Sequence, residues 1–217
     1  SKGLAGVEMA EVGRMKEAGI IAISDDGQPV ANSNLFRLAM QYADHFGLFI
    51  MSHSEDKNLV GDGVMNEGFV STKLGLPGTT RAAEEGMIAR DILVAEAEGK
   101  RIHLCHVSTR GGVQLVREAK ARGVRVTAET TPHYIGATDE WVIGYDSRCR
   151  VNPPLREEAD RQACIDGLCD GTIDVIATTR RTMRTRSAAS STSRPAASAD
   201  LKRPSASATA CWSRAEG

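Results

Sequence analysis

The sequence predicts an α/β fold in which helices cover a parallel sheet. Three observations predict it: short apolar runs alternate with longer helical patterns, the helical patterns end at glycines, and polar residues follow the apolar runs. Near-continuous apolar strands alternating with helices are typical of a buried parallel sheet. Glycine is the usual residue just past a helix C-terminus, because it adopts left-handed backbone angles without steric cost.

Five apolar runs have the length and composition of buried strands. They are GIIAIS (19–24), GLFIMSH (47–53), RIHLCHVS (101–108), VRVTAET (124–130) and IDVIAT (173–178). The segments between several of them have helical periodicity and are predicted as helices: 34–47, 80–99, 111–123 and 156–171. Residues 1–178 are therefore predicted to form one α/β domain.

The composition is that of an ordinary globular protein and excludes several classes. The 217 residues are 41% hydrophobic and 25% charged, with a net charge of −1, so no basic excess indicates a nucleic-acid partner. The apolar runs are too short to cross a membrane, and the first residues have no secretory apolar segment. Five cysteines without a Cys-x-x-Cys pair indicate a reduced, cytoplasmic setting.

Polar residues with metal-binding chemistry follow three successive predicted strands. Asp25-Asp26-Gly27 follows the first strand, His53 ends the second, and His106 follows the apolar core of the third. In parallel α/β proteins the active site lies beyond the C-terminal ends of the strands. Carboxylate and imidazole groups suit a divalent metal such as zinc. Taken singly, each histidine also fits a helix cap, and the Asp-Asp-Gly also fits a turn.

The other histidines have simpler interpretations. His103 and Cys105 alternate with His106 along their strand, so both are predicted to face away from it, as packing residues. His45 lies in a polar helical stretch and is predicted to be solvated. His133 follows a proline in a predicted loop, where structural and functional roles are equally open.

The motifs SDDG, MSHSED, HLCHVSTRGG, TAETTPHY, NPPLR and IDVIAT resemble, in order and spacing, the amidohydrolase superfamily. More narrowly, they resemble bacterial dihydroorotases that use an aspartate, rather than a carboxylated lysine, between two metals. The spacings agree: 27 residues from Asp26 to His53, 53 from His53 to His106, and 46 from His106 to Asn152. The resemblance covers residues 1–178.

The resemblance implies a partial (β/α)8 TIM barrel of the metal-dependent hydrolase type, with about strands 4–8 present. It implies that Asp26 is a bridging carboxylate, that His53 and His106 bind one Zn²⁺, and that Asn152 contacts the substrate. The implied reaction is the reversible, zinc-dependent hydrolysis of the cyclic amide of dihydroorotate to N-carbamoyl-aspartate, in pyrimidine biosynthesis. A small-molecule substrate is implied, with a homodimer or aspartate transcarbamoylase as possible protein partners.

Two parts of the family's metal site have no counterpart in the sequence. The family carries a His-x-His pair on its first strand, and the 217 residues contain none. After the motif IDVIAT the family reads Asp-His-Ala-Pro-His, in which the Asp is a zinc ligand and the proton shuttle, whereas this chain has Thr179. The chain is therefore expected to begin after the family's third strand, to have little activity alone, and to fold poorly through two long exposed sheet edges.

Residues 179–217 are rich in alanine, serine, threonine and arginine and are predicted to be disordered. They also fit an out-of-frame translation. Permissible codons for residues 179–187, read from the third base of the first, encode Ala-Pro-His-His-Glu-Asp-Glu-Lys, which resembles the family's continuation. A nucleic-acid-binding tail would require an aromatic or lysine-rich pattern that is not found.

Two alternative functions remain open at this point. A non-catalytic dihydroorotase-like partner of aspartate transcarbamoylase would tolerate lost ligands, although Asp26, His53 and His106 are all kept. A hydantoinase or allantoinase would usually have a carboxylated lysine at the position of Asp26, and the SDDG motif has no lysine.

Overall fold

A parallel five-stranded sheet forms the centre of the described part of the chain. The computed structural model describes residues 1–178, so the predictions about Thr179 and the disordered tail concern residues outside the described part. The strand order is β1-β2-β5-β6-β7. These strands are β1 (Ile23–Ser24), β2 (Ile50–Ser52), β5 (Ile102–Leu104), β6 (Val126–Thr130) and β7 (Val175–Ile176). All five predicted strands are confirmed, each shorter than its apolar run.

The four predicted helices are confirmed within a few residues of their predicted ends. They are α2 (Ser33–His45), α5 (Ala82–Glu98), α6 (Arg110–Ala121) and α8 (Glu158–Cys169). The glycines that follow these helices all have positive φ, as the sequence predicted: Gly47, Gly99, Gly123 and Gly171. Asn32 caps α2 through hydrogen bonds from the backbone N–H groups of Asn34 and Leu35, both 3.0 Å long.

Several shorter elements were not predicted, because their apolar patterns are too brief to be recognised. Residues between β2 and α5 form a two-stranded parallel sheet and two short helices. The unpredicted strands and helices are β3 (Met65–Asn66), β4 (Gly78–Thr79), α1 (Val12–Glu17), α3 (Lys57–Val60), α4 (Phe69–Leu74) and α7 (Pro132–Gly136). Short 3-10 helices span Lys2–Leu4, Asp139–Val142 and Ser147–Cys149.

The main core lies between the sheet and the helices. Ile102 and Leu104 of β5 are fully buried against α5 and α6, together with Ile88, Val113 and Val116. Burying an aliphatic side chain of this size stabilises the fold by about 1.5–3 kcal/mol. His103 lies between Ile102 and Leu104, so its side chain points to the opposite face of the sheet. Helices thus cover one face, while the other face carries polar residues.

The strand register brings the predicted metal ligands to one edge of the sheet. Ile50 of β2 pairs with Ile23 of β1 on one side and with Ile102 of β5 on the other. All three strands are parallel, so their C-terminal ends lie next to one another. The loops that follow them carry Asp26, His53 and His106.

The exposed edges of this sheet are short in the described part of the chain. β1 and β7 are the edge strands, and each has two residues. The expected long edges are therefore wrong for residues 1–178, because few unpaired backbone groups are offered there. Among the same residues, no helix has the length and apolarity that a bilayer crossing requires.

Candidate metal centre

Asp26, His53 and His106 converge at the C-terminal edge of the sheet, as the sequence predicted. One donor atom from each lies within 4.8 Å of the other two. His53 Nδ1 is 2.7 Å from His106 Nε2. Asp26 Oδ1 is 3.4 Å from His53 Nδ1 and 3.6 Å from His106 Nε2. Two nitrogens and one oxygen therefore face a common point.

Asp25 and Asp26 have different environments although they are neighbours. Asp25 is buried, and its two carboxylate oxygens accept hydrogen bonds from the backbone N–H groups of Val30 at 3.0 Å and His53 at 2.9 Å. Asp26 is largely exposed and faces the two histidines. Asp25 thus fixes the loop between β1 and α2 to the end of β2, which leaves the Asp26 carboxylate free to face the centre.

Glu55 orients the ring of His53. The ring nitrogen Nε2 of His53 hydrogen-bonds Glu55 Oε2 at 3.1 Å, while Nδ1 faces Asp26 and His106. Glu55 also pairs with Lys57, and the Asn152 side chain is close enough to help lower its pKa. Burial disfavours the charged carboxylate, but the interactions with His53, Lys57 and Asn152 outweigh it and lower the pKa of Glu55 to about 2.

The electrostatics of the centre favour an ionised aspartate. Hydrogen bonds from His106 and His53 hold the pKa of Asp26 far below its usual range. Burial opposes the charged form of His53, yet hydrogen bonds to Asp26 and Glu55 outweigh it and raise the pKa of His53 to about 9. A positive charge at the His53 ring, which lies between the carboxylates of Asp26 and Glu55, is therefore stabilised. A proton or a metal ion can supply that charge.

His106 is held in a strained backbone conformation. Its φ of 41° lies in the left-handed region, which is uncommon for residues other than glycine. The chain after it is fixed by Glu84 of α5, which accepts hydrogen bonds from the backbone N–H groups of Ser108 at 2.7 Å and Thr109 at 3.2 Å. Such strain costs on the order of 1–3 kcal/mol and persists where the surroundings over-determine it.

Arg156, which the sequence analysis did not single out, connects three segments behind the site. The Arg156 side chain is buried and pairs with Glu84 at 3.3 Å. It also donates to Ser108 Oγ at 3.2 Å, Asn66 Oδ1 at 3.1 Å and the carbonyl of Thr79 at 3.2 Å. In the sequence, this network could have been recognised only from charged residues within apolar patterns, such as Glu84 in the helical segment 80–99.

Asn152 lies beside the centre without touching the three converging donors. Asn152 is exposed, and its side chain is close enough to Glu55 to contribute to the lowered pKa of that carboxyl. The peptide bond between Asn152 and Pro153 is cis, and the buried Tyr134 hydroxyl donates to the carbonyl of Pro153 at 2.6 Å. Glu55, which hydrogen-bonds the predicted ligand His53, is therefore also a neighbour of the predicted substrate residue.

The remaining histidines partly follow the sequence predictions. His45 is exposed, as predicted. His133 lies in the helix α7 rather than in a loop, and both burial and the charge of His106 lower its pKa. His103 is buried and shares a face with Cys105, but it is not simply packed, because its ring hydrogen-bonds Thr127 and Glu129. A polar cross-strand neighbour could not be identified before the register was known.

The donor set of this centre suits zinc. Its three donors are two imidazole nitrogens and one carboxylate oxygen, which zinc accepts in catalytic sites that keep an open position. His53 has one ring nitrogen bonded to a carboxylate and the other directed at the centre, which is the usual arrangement of a metal-binding histidine. The residues present therefore fit a divalent cation.

Fold and centre together define a parallel α/β protein with an Asp-His-His group beyond its strand ends. The family model described as dihydro-orotase-like matches residues 3–112. The chain belongs to this dihydroorotase-like family.

Curated relatives agree with this assignment. The chain is similar to the dihydroorotase of Pelotomaculum thermopropionicum, with 60% identity over 178 residues, and to that of Syntrophotalea carbinolica, with 54% identity over 178 residues. In both comparisons 82% of this chain is covered, and the chain spans 42% of the relative's length.

Solved structures show the same fold at low identity. A D-hydantoinase from Bacillus sp. AR9 matches 82% of this chain and 42% of its own, with a TM-score of 0.67 and 18% identity. A dihydroorotase from Campylobacter jejuni matches 73% of this chain and 44% of its own, with a TM-score of 0.53 and 14% identity. The predicted barrel-type α/β fold is thereby confirmed.

Proposed function

We propose that residues 1–178 carry part of the catalytic centre of a dihydroorotase, which hydrolyses the cyclic amide of dihydroorotate reversibly to N-carbamoyl-aspartate. The observation that carries the proposal is the convergence of Asp26, His53 and His106 at the sheet edge of a dihydroorotase-like chain. The substrate is then a small molecule. The setting we propose is the cytoplasm, and the four cysteines in the described residues are free, as a reduced compartment requires.

We propose Zn²⁺ as the metal, held by Asp26, His53 and His106. When bound, zinc lowers the pKa of a water ligand towards about 7 and polarises a carbonyl oxygen. The protein's own groups prepare that position. Asp26 supplies a carboxylate that stays ionised, and Glu55 fixes the His53 ring so that Nδ1 points inward.

Asn152 is proposed to bind the substrate ring. Asn152 lies on an exposed loop, and its side chain is close enough to Glu55 to contribute to the lowered pKa of that carboxyl. An amide can both donate and accept, which matches the N–H and C=O groups of a cyclic amide. Glu55 would then align substrate and metal ligand through one carboxylate.

A chimera tests the proposal directly. The 178 matched residues of the Pelotomaculum thermopropionicum dihydroorotase would be replaced by those of this chain, and turnover of dihydroorotate, hydantoin and allantoin would be compared. We expect turnover of dihydroorotate alone. The matched control is the same chimera with His106→Asn, since asparagine tolerates the left-handed conformation of position 106 but provides a poorer ligand.

Three results would contradict the proposal. One is a folded chimera without dihydroorotate turnover, and another is a chimera that prefers hydantoin or allantoin. The third is a His106→Asn chimera as active as its parent, which would show that His106 is not part of the centre.

A further inference from the structure

The two serines that flank His53 are bonded to one buried carboxylate on the helix side of the sheet. Side chains alternate along an extended chain, so His53 faces the candidate metal centre while Ser52 and Ser54 face α5. Asp91 of α5 is fully buried, and its Oδ2 accepts hydrogen bonds from Ser52 Oγ at 2.6 Å and Ser54 Oγ at 3.0 Å. The backbone on both sides of His53 is therefore fixed to α5.

Arg90, the neighbour of Asp91, extends this contact to the loop that carries Asp26. Its Nε donates to Asp91 Oδ1 at 2.8 Å, and its Nη1 donates to the carbonyl of Val30 at 2.6 Å. The guanidinium also lies over the ring of the buried Phe36, 4.5 Å from the ring centre. The loop between β1 and α2, to which Val30 belongs, is thus attached to the same carboxylate as the two serines.

The hydrogen bonds of Asp25 close this network into a ring. One Asp25 oxygen accepts from the backbone N–H of His53, and the other accepts from the backbone N–H of Val30. From Val30 the network runs through the ion pair on α5 and returns to His53 through its flanking serines. The ring restrains the segments that carry Asp26 and His53 relative to each other, because a shift of either one breaks hydrogen bonds of both.

The Arg90–Asp91 pair has a cost that stability alone does not explain. A buried ion pair is often no more stabilising than apolar residues of the same size, because both charges must leave water. Burial accordingly raises the pKa of Asp91, although Arg90 and the two serines stabilise its charged form. We propose that Asp91, paired with Arg90, is a positioning residue of the candidate metal centre and acts through the backbone of His53. This inference rests on the metal centre proposed above.

Zinc affinity of the 217-residue chain, measured by competition with a chromophoric chelator, tests this role. Loss of a partner that touches a metal ligand directly costs about 10–100-fold in affinity. We expect Asp91→Asn to weaken zinc binding about tenfold, at the lower end of that range, because Asp91 acts through the backbone. The double variant Ser52→Ala/Ser54→Ala should weaken it equally. Combining all three substitutions should add nothing further, because they break the same connection.

Ile92→Ala is the matched control for a general loss of stability. Ile92 is the next residue on α5, is nearly as buried as Asp91 and belongs to the apolar core. The control should lower stability in urea unfolding without lowering the zinc affinity of the folded chain, and circular dichroism shows which variants are folded. The serine double variant keeps the test open if Asp91→Asn does not fold. Equal zinc affinities of Ile92→Ala and either test variant would overturn the proposal, as would full additivity of Asp91→Asn with the serine substitutions.

Amide hydrogen exchange in the metal-free chain separates this inference from the proposed function. The His53 N–H should exchange faster in Asp91→Asn relative to the N–H of Ile102, which is bonded within the sheet. The same ratio should stay unchanged in Ile92→Ala. An unchanged ratio in Asp91→Asn would refute the role of Asp91, whereas a parent chain that binds no zinc would refute the metal centre itself.

Discussion

Asp25 and Asp26, the two aspartates that follow β1, have different roles. Asp25 is buried and bonded to backbone N–H groups, so its role is to fix the loop. Asp26 faces His53 and His106. The resemblance to dihydroorotases singled out Asp26, and the hydrogen bonds of Asp25 give the physical reason why the first aspartate is not available to a metal.

Glu55→Gln should weaken zinc binding. The substitution removes the charge that holds Nε2 of His53, and loss of such an orienting partner costs about 10–100-fold in metal affinity. Competition of the 217-residue chain with a chromophoric chelator measures the affinity. Glu67→Gln, at an exposed carboxylate, is the matched control and should have no effect. Equal affinities of the two variants would show that Glu55 does not orient the ligand.

Zinc affinity should rise with pH up to about 9. Without metal, His53 has a pKa raised to about 9, so below that pH zinc must displace a proton from the ring. For one displaced proton the affinity grows about tenfold per pH unit below the pKa and levels off above it. Chelator competition at several pH values measures the slope. A flat profile between pH 7 and 9 would mean that His53 binds no metal.

At the level of elements, loops placed by rigid strands build the site, and a buried ion pair holds those loops. Arg156 follows the Asn152 loop, while Glu84 starts α5 and binds the loop after His106. The pair therefore connects the predicted substrate loop with the predicted ligand loop. The small sheet of β3 and β4 is included, because Arg156 also donates to Asn66 and to the carbonyl of Thr79.

Arg156→Met should destabilise the fold by about 3–5 kcal/mol, because it leaves the Glu84 charge buried without its partner. Urea unfolding of the 217-residue chain, followed by circular dichroism, measures the change. Arg148→Met is the matched control at the exposed pair with Asp146 and should leave stability almost unchanged, because solvent screens that pair. The double variant Arg156→Met/Glu84→Gln should lose less than the sum of the single variants. Equal stability of Arg156→Met and Arg148→Met would refute this role of the pair.

For the whole molecule, the decisive fact is that the chain spans 42% of the length of its curated relatives. The sequence contains the three metal-site residues that the resemblance to dihydroorotases predicts, and it contains neither the expected His-x-His pair nor the expected aspartate at the position of Thr179. We therefore expect the 217-residue chain loaded with zinc to show no dihydroorotate turnover above a metal-free blank. Turnover that disappears in His106→Asn would show instead that three ligands suffice.

The gene itself tests the prediction for residues 179–217. If these residues are an out-of-frame translation, resequencing of the genomic DNA should reveal a frame that continues IDVIAT with Asp-His-Ala-Pro-His. The relatives match 178 residues of the chain, which agrees with a change of character at this point. An intact single frame with codons unlike those assumed would refute the frameshift.

The sequence by itself determined the strands, the main helices and the chemical types of the candidate ligands. Apolar periodicity and glycine positions are local signals, so α2, α5, α6 and α8 and the five main strands could be predicted from them. The predicted convergence of Asp26, His53 and His106 is found in the structure, because parallel neighbouring strands end at the same edge. The short elements between β2 and α5 carry too few residues for a periodic signal.

Only the tertiary structure decided which side chains support that centre. Glu84 and Arg156 are 72 residues apart in sequence, and His103 meets Glu129 across a gap of 26. Such pairs depend on strand register and on which helix covers which loop, and no local pattern encodes either. In the sequence, buried charges and cross-strand polar clusters could be recognised only as polar residues that interrupt apolar patterns. The partners that stabilise them could be identified only from the folded structure.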